Sequence, residues 1–388
     1  SGDYKFDHTP VDNWPTDYAK LAEFSRRGVL ALLGDSTNAE RAGWTPSERV
    51  IDGALQPVFD EAPGRIIVAT FASLISRIQQ VANAALKHGR KLAIAGTSMV
   101  DNVKIARKLG YLDFPENLVI PIDQALNLPE KEVVIMCTGS QGEPSSILGR
   151  LSVGTNRLFD LKPHDTVIMS SHPIPGNEET VYRTINRLIG RGANVIYEAI
   201  APVHVSGHAS QEEIKLLIHL TRPKYVIPIH GELRQLKQHA ALARQVGIPA
   251  ENIAVIENGQ VVEFENGQMH LAERVPGKYI FVDGSGVGDV GPSVMREREE
   301  LARDGIVLVN LSLDRATGHV FKDAEVITRG FMLSDGCDEL VQNIKKRIME
   351  TVARANGNLQ GDVEQVIKSY LFNETRRRPV VFVTVSKV

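Results

Sequence analysis

The chain has 388 residues, of which 43% are hydrophobic and 23% are charged, with a formal net charge of −3. This composition supports two or three packed cores and argues against intrinsic disorder. The net charge argues against a wholly basic nucleic-acid-binding surface but allows a local basic groove. No apolar run reaches the roughly 20 residues that cross a bilayer, and Cys137 and Cys337 lack disulfide-scaffold or zinc-site spacing, so the sequence indicates a cytoplasmic protein without membrane insertion.

A repeating βα pattern runs from about residue 65 to residue 220. Each repeat is a short β-branched run, a loop of small residues and an amphipathic helix, which is typical of a parallel sheet. The predicted strands are 66–69, 91–95, 133–137 and 166–170. Because open α/β sheets bind ligands at the carboxyl ends of their strands, the loops after these strands are candidate binding loops.

The pattern then changes from βα units to hairpins. A strand over 225–229 is predicted, followed by a helix that ends at Val246. Asn-Gly pairs at 258–259 and 266–267 predict two hairpin turns within a β-rich stretch, 253–282.

The last part of the chain is predicted to be a separate small domain. The Gly/Pro-rich stretch 283–292 is typical of a linker. Beyond it, the sequence predicts an α+β domain with strands 306–313, 325–327 and 380–385 and helices 338–354 and 360–373.

Acidic and imidazole side chains occur beside the ends of several predicted strands. Asp3 and Asp35 lie at predicted strand ends, and His208 and His230 lie at strand-to-helix junctions. Carboxylate oxygens and imidazole nitrogens are ligands of Zn²⁺ and Mn²⁺. A lone histidine beside a strand is more often structural, but two histidines and two aspartates at one sheet edge favour a shared metal site.

A series of short motifs along the whole chain carries a resemblance to a known family. They are Gly2-Asp3-Tyr4-Lys5-Phe6-Asp7, Gly34-Asp35-Ser36-Thr37-Asn38, Thr138-Gly139-Ser140-Gln141-Gly142-Glu143-Pro144, Pro173-Ile174-Pro175-Gly176-Asn177, Ser206-Gly207-His208, Pro228-Ile229-His230-Gly231-Glu232, Asp283-Gly284-Ser285-Gly286-Val287-Gly288-Asp289 and Thr375-Arg376-Arg377-Arg378-Pro379. In this order they resemble bacterial ribonuclease J. The resemblance is highly specific because so many matches occur in the right order.

The resemblance implies an α/β fold with three parts. These are a metallo-β-lactamase αββα core, incomplete here, an inserted β-CASP parallel-sheet domain, and a small α+β C-terminal domain. The expected boundaries are 1–40 for the first core segment, 41–200 for the β-CASP domain, 201–285 for the returning core segment, 286–300 for a linker and 301–388 for the C-terminal domain. The implied function is a metal-dependent 5′-to-3′ exoribonuclease that also cleaves internally, in RNA maturation and decay.

The resemblance also implies roles for four residues. Asp3 matches the family's bridging metal aspartate, and His230 matches its last metal-binding histidine. Asp35 matches the acidic motif that orients the site, and His208 matches the β-CASP histidine that contacts the scissile phosphate and protonates the leaving oxygen. Two divalent metal ions are implied, with Zn²⁺ expected ahead of Mn²⁺ or Mg²⁺.

Further residues match the family's grip on RNA phosphates, including a 5′ monophosphate. They are Gly139, Ser140, Gln141, His172, His204, Ser206 and again His208. The implied partners are single-stranded RNA, preferably 5′-monophosphorylated, further copies of the chain in a homo-dimer or tetramer, and other RNA-decay factors.

One motif of the family, His-x-His-x-Asp-His, has no counterpart in these 388 residues. We expect the missing ligands on a segment N-terminal to Ser1. Because the chain alone would supply at most two metal ligands, we expect it to be inactive by itself.

Other functions stay open at this point. A β-CASP endonuclease acting on DNA or RNA is one alternative, and a non-catalytic RNA-binding subunit is another. The motif 138–144 and the C-terminal domain favour the RNA exonuclease. The arginine run 376–378 is either a solvated flank or a contact with RNA or a partner.

Overall fold

The computed structural model describes residues 1–277, 279–317, 319–331, 337–354 and 358–388. The chain divides into two compact units, Ser1–Val275 and Pro276–Val388. Cys137 is a buried free thiol, whereas the side chain of Cys337 lies outside the described residues. Among the helices that are described, none combines the length and apolar character needed to cross a membrane.

The first unit alternates helices and strands. It begins with α1 (Tyr18–Arg27), β1 (Val29–Asp35), α2 (Val50–Glu61), β2 (Ile66–Ala69), α3 (Ile75–Lys87), β3 (Lys91–Ile94), α4 (Thr97–Lys108) and α5 (Ile122–Ala125). It continues with β4 (Val133–Cys137), α6 (Ile147–Val153), β5 (Thr166–Met169), α7 (Glu178–Gly190), β6 (Asn194–Ile196), α8 (Gln211–Thr221), β7 (Pro223–Ile229), α9 (Leu233–Gln245), β8 (Val262–Glu265) and β9 (Gln268–Leu271). The strands predicted in this unit from the βα pattern are thus confirmed.

Strands β2 to β6 form one parallel sheet in the order β3-β4-β2-β5-β6. Alternate residues of β2 face opposite sides: Ile66 and Val68 pack in the core with α2, α3 and α4, and Ile67 and Ala69 pack with α5, α6 and α7. Every residue of β2 is buried, which explains why this strand is a continuous apolar run rather than an alternating one. The sheet is therefore the middle layer of an α/β/α sandwich.

A buried ion pair joins two strands of this sheet at their amino ends. Arg65, just before β2, places Nη2 2.5 Å from Oδ2 of Asp165, just before β5, and its Nε donates to Oδ1 at 2.9 Å. The two side chains are 2% and 0% exposed. This pair lies at the end of the sheet opposite the candidate binding loops, so its contribution is to stability.

Strands β1 and β7 form a separate two-stranded parallel sheet, although β2 to β6 come between them in the chain. Asp35, the last residue of β1, pairs with Ile229, the last residue of β7. Helices α8 and α9 cover this pair through a small core that includes Ile214, Val226 and Leu242. The carboxyl ends of two strands that are distant in sequence are thereby brought side by side.

The hairpin predictions are half right. The Asn-Gly pair at 266–267 joins β8 and β9, which pair antiparallel as predicted. The pair at 258–259 makes a turn but joins no two strands, so the hairpin predicted there is wrong. The reason is that the apolar residues before it pair with β7 instead: Ile253 bridges to Val226, and the Ala254 N–H donates to the Val226 carbonyl at 3.0 Å.

The second unit is an α+β domain, as expected. It contains β10 (Val282–Asp283), β11 (Gly286–Val287), α10 (Pro292–Asp304), β12 (Ile306–Leu313), β13 (Val320–Arg329), α11 (Cys337–Arg354), α12 (Leu359–Thr375) and β14 (Val380–Lys387). The last three strands form a sheet in the order β13-β12-β14, and its core includes Ile344 and Ile348 from α11 and Ile367 and Leu371 from α12.

The stretch expected to be a linker is more ordered than predicted. Within 286–300, β11 pairs with β10, and α10 begins at Pro292. Proline is favoured in the first turn of a helix because its missing N–H would have no partner there. The residues that suggested a linker thus include the start of a helix.

Candidate metal centre

Four side chains from four segments meet where β1 and β7 end. Asp35 ends β1, His230 follows β7, His208 lies on the loop before α8, and Asp3 lies on the N-terminal segment. One ligand atom from each residue lies within 4.8 Å of the others. We call this group the metal cluster.

The contacts inside the metal cluster distinguish its four members. Nδ1 of His208 is 2.8 Å from Oδ2 of Asp35, and Nδ1 of His230 is 3.4 Å from Oδ1. Nε2 of His230 is 3.8 Å from Asp3 Oδ1, and Nε2 of His208 is 4.0 Å from Asp3 Oδ2. Both imidazoles thus turn Nδ1 to the buried Asp35 and Nε2 to the exposed Asp3.

Burial and hydrogen bonding set the charge of the pair formed by Asp35 and His208. Asp35 is 2% exposed; burial alone would raise its pKa, but the hydrogen bonds from His208 and Thr37 outweigh it and hold the pKa below its ordinary value. The bond to Asp35 raises the pKa of His208, against the opposing effect of burial. An ionised Asp35 therefore favours a protonated His208.

Thr37 fixes His230 against Asp35. Its hydroxyl lies 2.8 Å from Asp35 Oδ1 and 2.9 Å from His230 Nδ1, and it is 3.1 Å from the His230 carbonyl. The backbone of His230 is left-handed, with φ of 54°, which is uncommon for a residue other than glycine and is found more often at functional sites. These contacts hold the imidazole in place on a strained turn.

The carboxylate of Glu213 connects three of the four segments that carry the metal cluster. It is fully buried; Oε1 accepts the Phe6 N–H at 2.7 Å, and Oε2 accepts the N–H of Thr45 at 2.7 Å and of Ser210 at 2.9 Å. These three amides follow Asp3, Asp35 and His208 along the chain. One carboxylate thus holds the loops that carry three members of the metal cluster.

The donors of the metal cluster suit a divalent transition metal. Both oxygens of Asp35 are engaged by Thr37 and His208, whereas the Asp3 carboxylate and the Nε2 atoms of both histidines face one another. Imidazole and carboxylate donors together fit Zn²⁺ and Mn²⁺. Two of these donors, the Asp3 carboxylate and Nε2 of His230, are the expected metal ligands, and two are fewer than the three protein ligands of a catalytic zinc ion.

The predicted phosphate-binding loops after β4 and β5 also meet. Gln141 is buried, and its Nε2 donates to the His172 carbonyl at 2.9 Å while its Oε1 accepts the Ile174 N–H at 2.8 Å. Ser140 is also buried, and its carbonyl accepts the Ser171 hydroxyl at 3.2 Å. The side chain of Gln141 is therefore engaged in holding the two loops together.

Gly139 has a φ of 112°, and a Cβ there would lie 2.2 Å from the Ser146 hydroxyl, so no other residue fits this turn. The glycine lets the loop after β4 pass close to the start of α6.

The remaining predicted RNA-binding residues divide between two places. His172 is exposed and pairs through Nδ1 with Glu198 at 2.5 Å. His204 lies close enough to Arg77 and Glu198 for their charges to affect its pKa. Burial, together with the positive charge of Arg77, lowers the pKa of His204 to about 4. Its buried Nδ1 has no hydrogen-bond partner among the described residues. Ser206 instead belongs with the metal cluster, because Asn38 Nδ2 donates to its hydroxyl at 2.8 Å and to the His208 carbonyl at 2.9 Å.

Sequence reasoning missed the residues that hold the metal cluster together. Thr37 and Asn38 lie within the quoted motif 34–38 but received no role, and Glu213 was not singled out. A signal for Glu213 exists, since Ser210 and Glu213 form a capping box at the start of α8. Its bonds to Phe6 and Thr45 depend on tertiary structure, so no sequence pattern announces them.

Three family models match the chain. They are "Ribonuclease J, beta-CASP domain" over 63–188, "Zn-dependent metallo-hydrolase RNA specificity domain" over 192–253 and "Ribonuclease J C-terminal domain" over 293–388. Ribonuclease J2 of Bacillus subtilis is 40% identical over 395 residues, covering 100% of this chain and 71% of the relative. The chain belongs to the ribonuclease J family. These matches confirm the expected family and fold class. They also confirm that the family is one of metal-dependent nucleases.

Two further relatives are named ribonuclease J. Ribonuclease J of Synechocystis is 42% identical over 396 residues, covering 98% of this chain and 61% of the relative. Ribonuclease J of Thermus thermophilus is 40% identical over 389 residues, with 98% and 66% covered. The chain therefore spans between about three fifths and seven tenths of the length of the three relatives.

Proposed function

We propose that this chain contributes to the catalytic centre of a metal-dependent 5′-to-3′ exoribonuclease that also cleaves internally and acts in RNA maturation and decay. The observation that carries the proposal is the metal cluster, whose ligand atoms lie within 4.8 Å of one another. Membership of the ribonuclease J family supports RNA as the substrate. The cytoplasm is the proposed location, which a buried free thiol at Cys137 suits.

Asp3 and His230 are the proposed metal ligands. Their side chains are 62% and 56% exposed, and Asp3 Oδ1 faces His230 Nε2 at 3.8 Å. We infer Zn²⁺ as the preferred ion ahead of Mn²⁺, with Mg²⁺ last because it favours oxygen donors. When bound, a pair of divalent ions polarises the phosphodiester and makes water a nucleophile near neutral pH.

His208 and Asp35 are the proposed proton-transfer pair. Asp35 holds Nδ1 of His208 at 2.8 Å, which directs Nε2 toward the open side of the metal cluster. The protonated imidazole then donates its Nε2 proton to the leaving 3′ oxygen, while the Asp35 carboxylate stabilises its positive charge. Such an acid contributes about 10² to 10⁴ in rate.

The loops after β4 and β5 are proposed to bind RNA phosphates, including a 5′ monophosphate. Gln141 does so indirectly, by holding the loop of His172 beside that of Ser140. His172 and His204 supply imidazole groups next to these loops, and Ser206 supplies a hydroxyl beside His208. A pocket for the 5′ end sets the register of the strand and makes cleavage directional.

The test is a single-turnover comparison of 5′-monophosphorylated RNA, 5′-hydroxyl RNA and single-stranded DNA of one sequence. It uses the 388-residue chain alone and the same chain fused to a segment that carries His-x-His-x-Asp-His. The expected result is cleavage from the 5′ end of monophosphorylated RNA by the fusion, lost on chelation, and none by the chain alone. Equal cleavage of DNA, or internal cleavage without any 5′ preference, would support a β-CASP endonuclease instead.

Metal content and mass provide a second test. The chain alone is expected to bind no more than one Zn²⁺ tightly, because only two ligands, Asp3 and His230, are proposed from it, and the fusion is expected to bind two. Light scattering is expected to show the proposed dimer or tetramer. Tight binding of two ions by the chain alone would contradict the ligand assignment.

A further inference from the structure

A cavity in the second unit is lined by basic and aromatic side chains. It has a volume of about 450 Å³ and lies between α10, α12 and the residues that lead into β14. Its lining includes Arg303, Gln365, Lys368, Phe372 and Arg378. We call it the C-terminal groove; its volume falls within the range of small-ligand sites.

The three arginines of the run 376–378, at the edge of this groove, make different contacts. Arg377 turns away, and its Nη1 donates to the Phe331 carbonyl at 2.6 Å. Arg376 and Arg378 both lie over the ring of Phe372, with Cζ 5.6 Å and 4.6 Å from the ring centroid. The left-handed backbone of Arg376, with φ of 58°, ends α12 and makes this arrangement possible.

The guanidinium N–H groups of Arg376 and Arg378 are available to bind a ligand. Among the described residues, no carboxylate forms a salt bridge with either guanidinium. Asp304, the acidic group beside them, accepts the backbone N–H of Arg378 at 3.1 Å and contacts Arg303 at 3.4 Å. Both arginines are exposed, and among the described residues no hydrogen bond or salt bridge engages either guanidinium group.

The other charges of the groove nearly cancel. Lys368 pairs with Glu364 at 2.5 Å, and Arg303 pairs with Asp304. Glu300 is then the acidic residue of the lining that has no salt bridge among the described residues. The groove therefore favours an anion, and this preference comes from Arg378 in its lining and from Arg376 beside it, whose Cζ is 5.6 Å from the centroid of the lining residue Phe372. A guanidinium group beside an aromatic ring binds phosphate through its N–H edge, and its planar face stacks on a nucleobase.

We propose that the C-terminal groove binds single-stranded RNA outside the metal cluster, with Arg376 and Arg378 on backbone phosphates and a base stacked on their planes. The proposal rests on the proposed function insofar as RNA is the anion this protein encounters. An acidic protein segment would use the same guanidinium groups, but it would place charged side chains against the apolar wall of Phe372, Pro379 and Val380. RNA presents phosphates to the guanidinium groups and bases to that apolar wall.

The experiment measures RNA binding by fluorescence anisotropy in excess EDTA, with the full 388-residue chain. The probe is a 5′-hydroxyl oligouridine of about 20 nucleotides, so that neither metal nor a 5′ phosphate contributes to binding. The test variant is Arg376→Gln/Arg378→Gln. The matched control is Arg315→Gln/Arg329→Gln, which removes the same charge from the same unit.

The test variant is expected to bind about tenfold more weakly at moderate salt, and the slope of log Kd against log salt is expected to fall by about 1.4, the value for two phosphate contacts on a single strand. Arg376→Lys/Arg378→Lys keeps the charge but loses the planar stack, so it is expected to recover the salt slope without recovering full affinity. Phe372→Leu is expected to behave like the lysine variant. Only variants whose melting temperature equals that of the wild-type chain are compared.

Three results would overturn the proposal: wild-type chain that does not bind the oligouridine, a test variant within twofold of wild type, or a control that weakens equally. Tighter binding of a polyglutamate peptide than of RNA, lost in the test variant, would assign the groove to an acidic partner. Because the assay excludes metal, its outcome is independent of cleavage. Loss of cleavage with this binding intact would count against the proposed function alone.

Discussion

The five-stranded sheet and the metal cluster are built in opposite ways. The sheet takes its strands and covering helices from one continuous stretch, and residues such as Ile66 and Ile67 are fully buried. The metal cluster takes its side chains from four separate segments that meet at one end of the two-stranded sheet, in which Leu30 and Leu33 are 43% and 45% exposed. Apolar burial stabilises the first region, whereas hydrogen bonds to buried carboxylates hold the second.

The contrast predicts that substitutions in the sheet change stability and that substitutions in the metal cluster change chemistry. The sharpest test compares His208→Ala with His230→Ala in the chain fused to the His-x-His-x-Asp-His segment. His208→Ala is expected to lower the single-turnover rate by about 10² to 10⁴, or roughly 3 to 5 kcal/mol, with metal content nearly intact, because a proton donor is lost. His230→Ala is expected to lose metal as well, because a ligand is removed.

Metal analysis and kinetics on 5′-monophosphorylated RNA measure both effects. If His208→Ala loses as much metal as His230→Ala, or retains full activity, the role proposed for His208 is wrong. His230→Ala is expected to leave the urea midpoint nearly unchanged, because the His230 side chain is 56% exposed. His208→Ala is expected to lower the midpoint as well, because it removes a hydrogen-bonded partner of the buried Asp35 carboxylate.

The corresponding test in the sheet is Asp165→Asn. It leaves the buried Arg65 guanidinium without a charged partner, so the free energy of unfolding is expected to fall by about 3 to 5 kcal/mol. Asp160→Asn is the control, because the Asp160 carboxylate is 56% exposed and its pair with Arg191 is worth at most about 1 kcal/mol. Urea denaturation gives both values. Equal losses for the two variants would contradict the assigned importance of burial.

A third prediction concerns the loss of stability in acid. His239 is 1% exposed, and burial lowers its pKa to about 4. The unfolded chain, with an ordinary pKa near 6.5, therefore takes up a proton first, and stability is expected to fall as pH drops from about 6.5 to about 4, by on the order of 3 kcal/mol. Denaturation across this range, with His239→Gln as the comparison, measures the effect; an unchanged pH dependence in the variant would refute it.

The smallest predicted effect is that of Glu213→Gln, which is expected to change both stability and metal binding. Glu213→Gln replaces an acceptor oxygen with an amide nitrogen that faces backbone N–H groups, so stability is expected to fall by about 1 to 3 kcal/mol. Zinc affinity, measured by competition with a chelator, is expected to fall as well, because the loops of Asp3, Asp35 and His208 loosen. Glu212→Gln, the neighbouring change at a carboxylate 43% exposed, is expected to alter neither. Loss of stability with unchanged zinc affinity would reduce Glu213 to a structural residue.

Sequence reasoning was most successful where structure is local. The strands 66–69 and 133–137 coincide with β2 and β4, because a fully buried parallel strand is a continuous apolar run. It failed at the turn 258–259, because the partner of the residues before that turn is β7, which lies elsewhere in the chain. The boundaries proposed for the inserted domain and the roles of the site residues stay predictions.

The sequence by itself determined the βα pattern, the family and four candidate site residues, because propensity, apolar periodicity and short motifs depend on near neighbours. Tertiary structure decided how they meet. The register of β1 on β7 sets Asp35 beside Ile229 and hence beside His230, and Glu213 joins loops that are distant in sequence. Such contacts depend on which strands pair and which buried acceptors need donors, and those are properties of the whole fold.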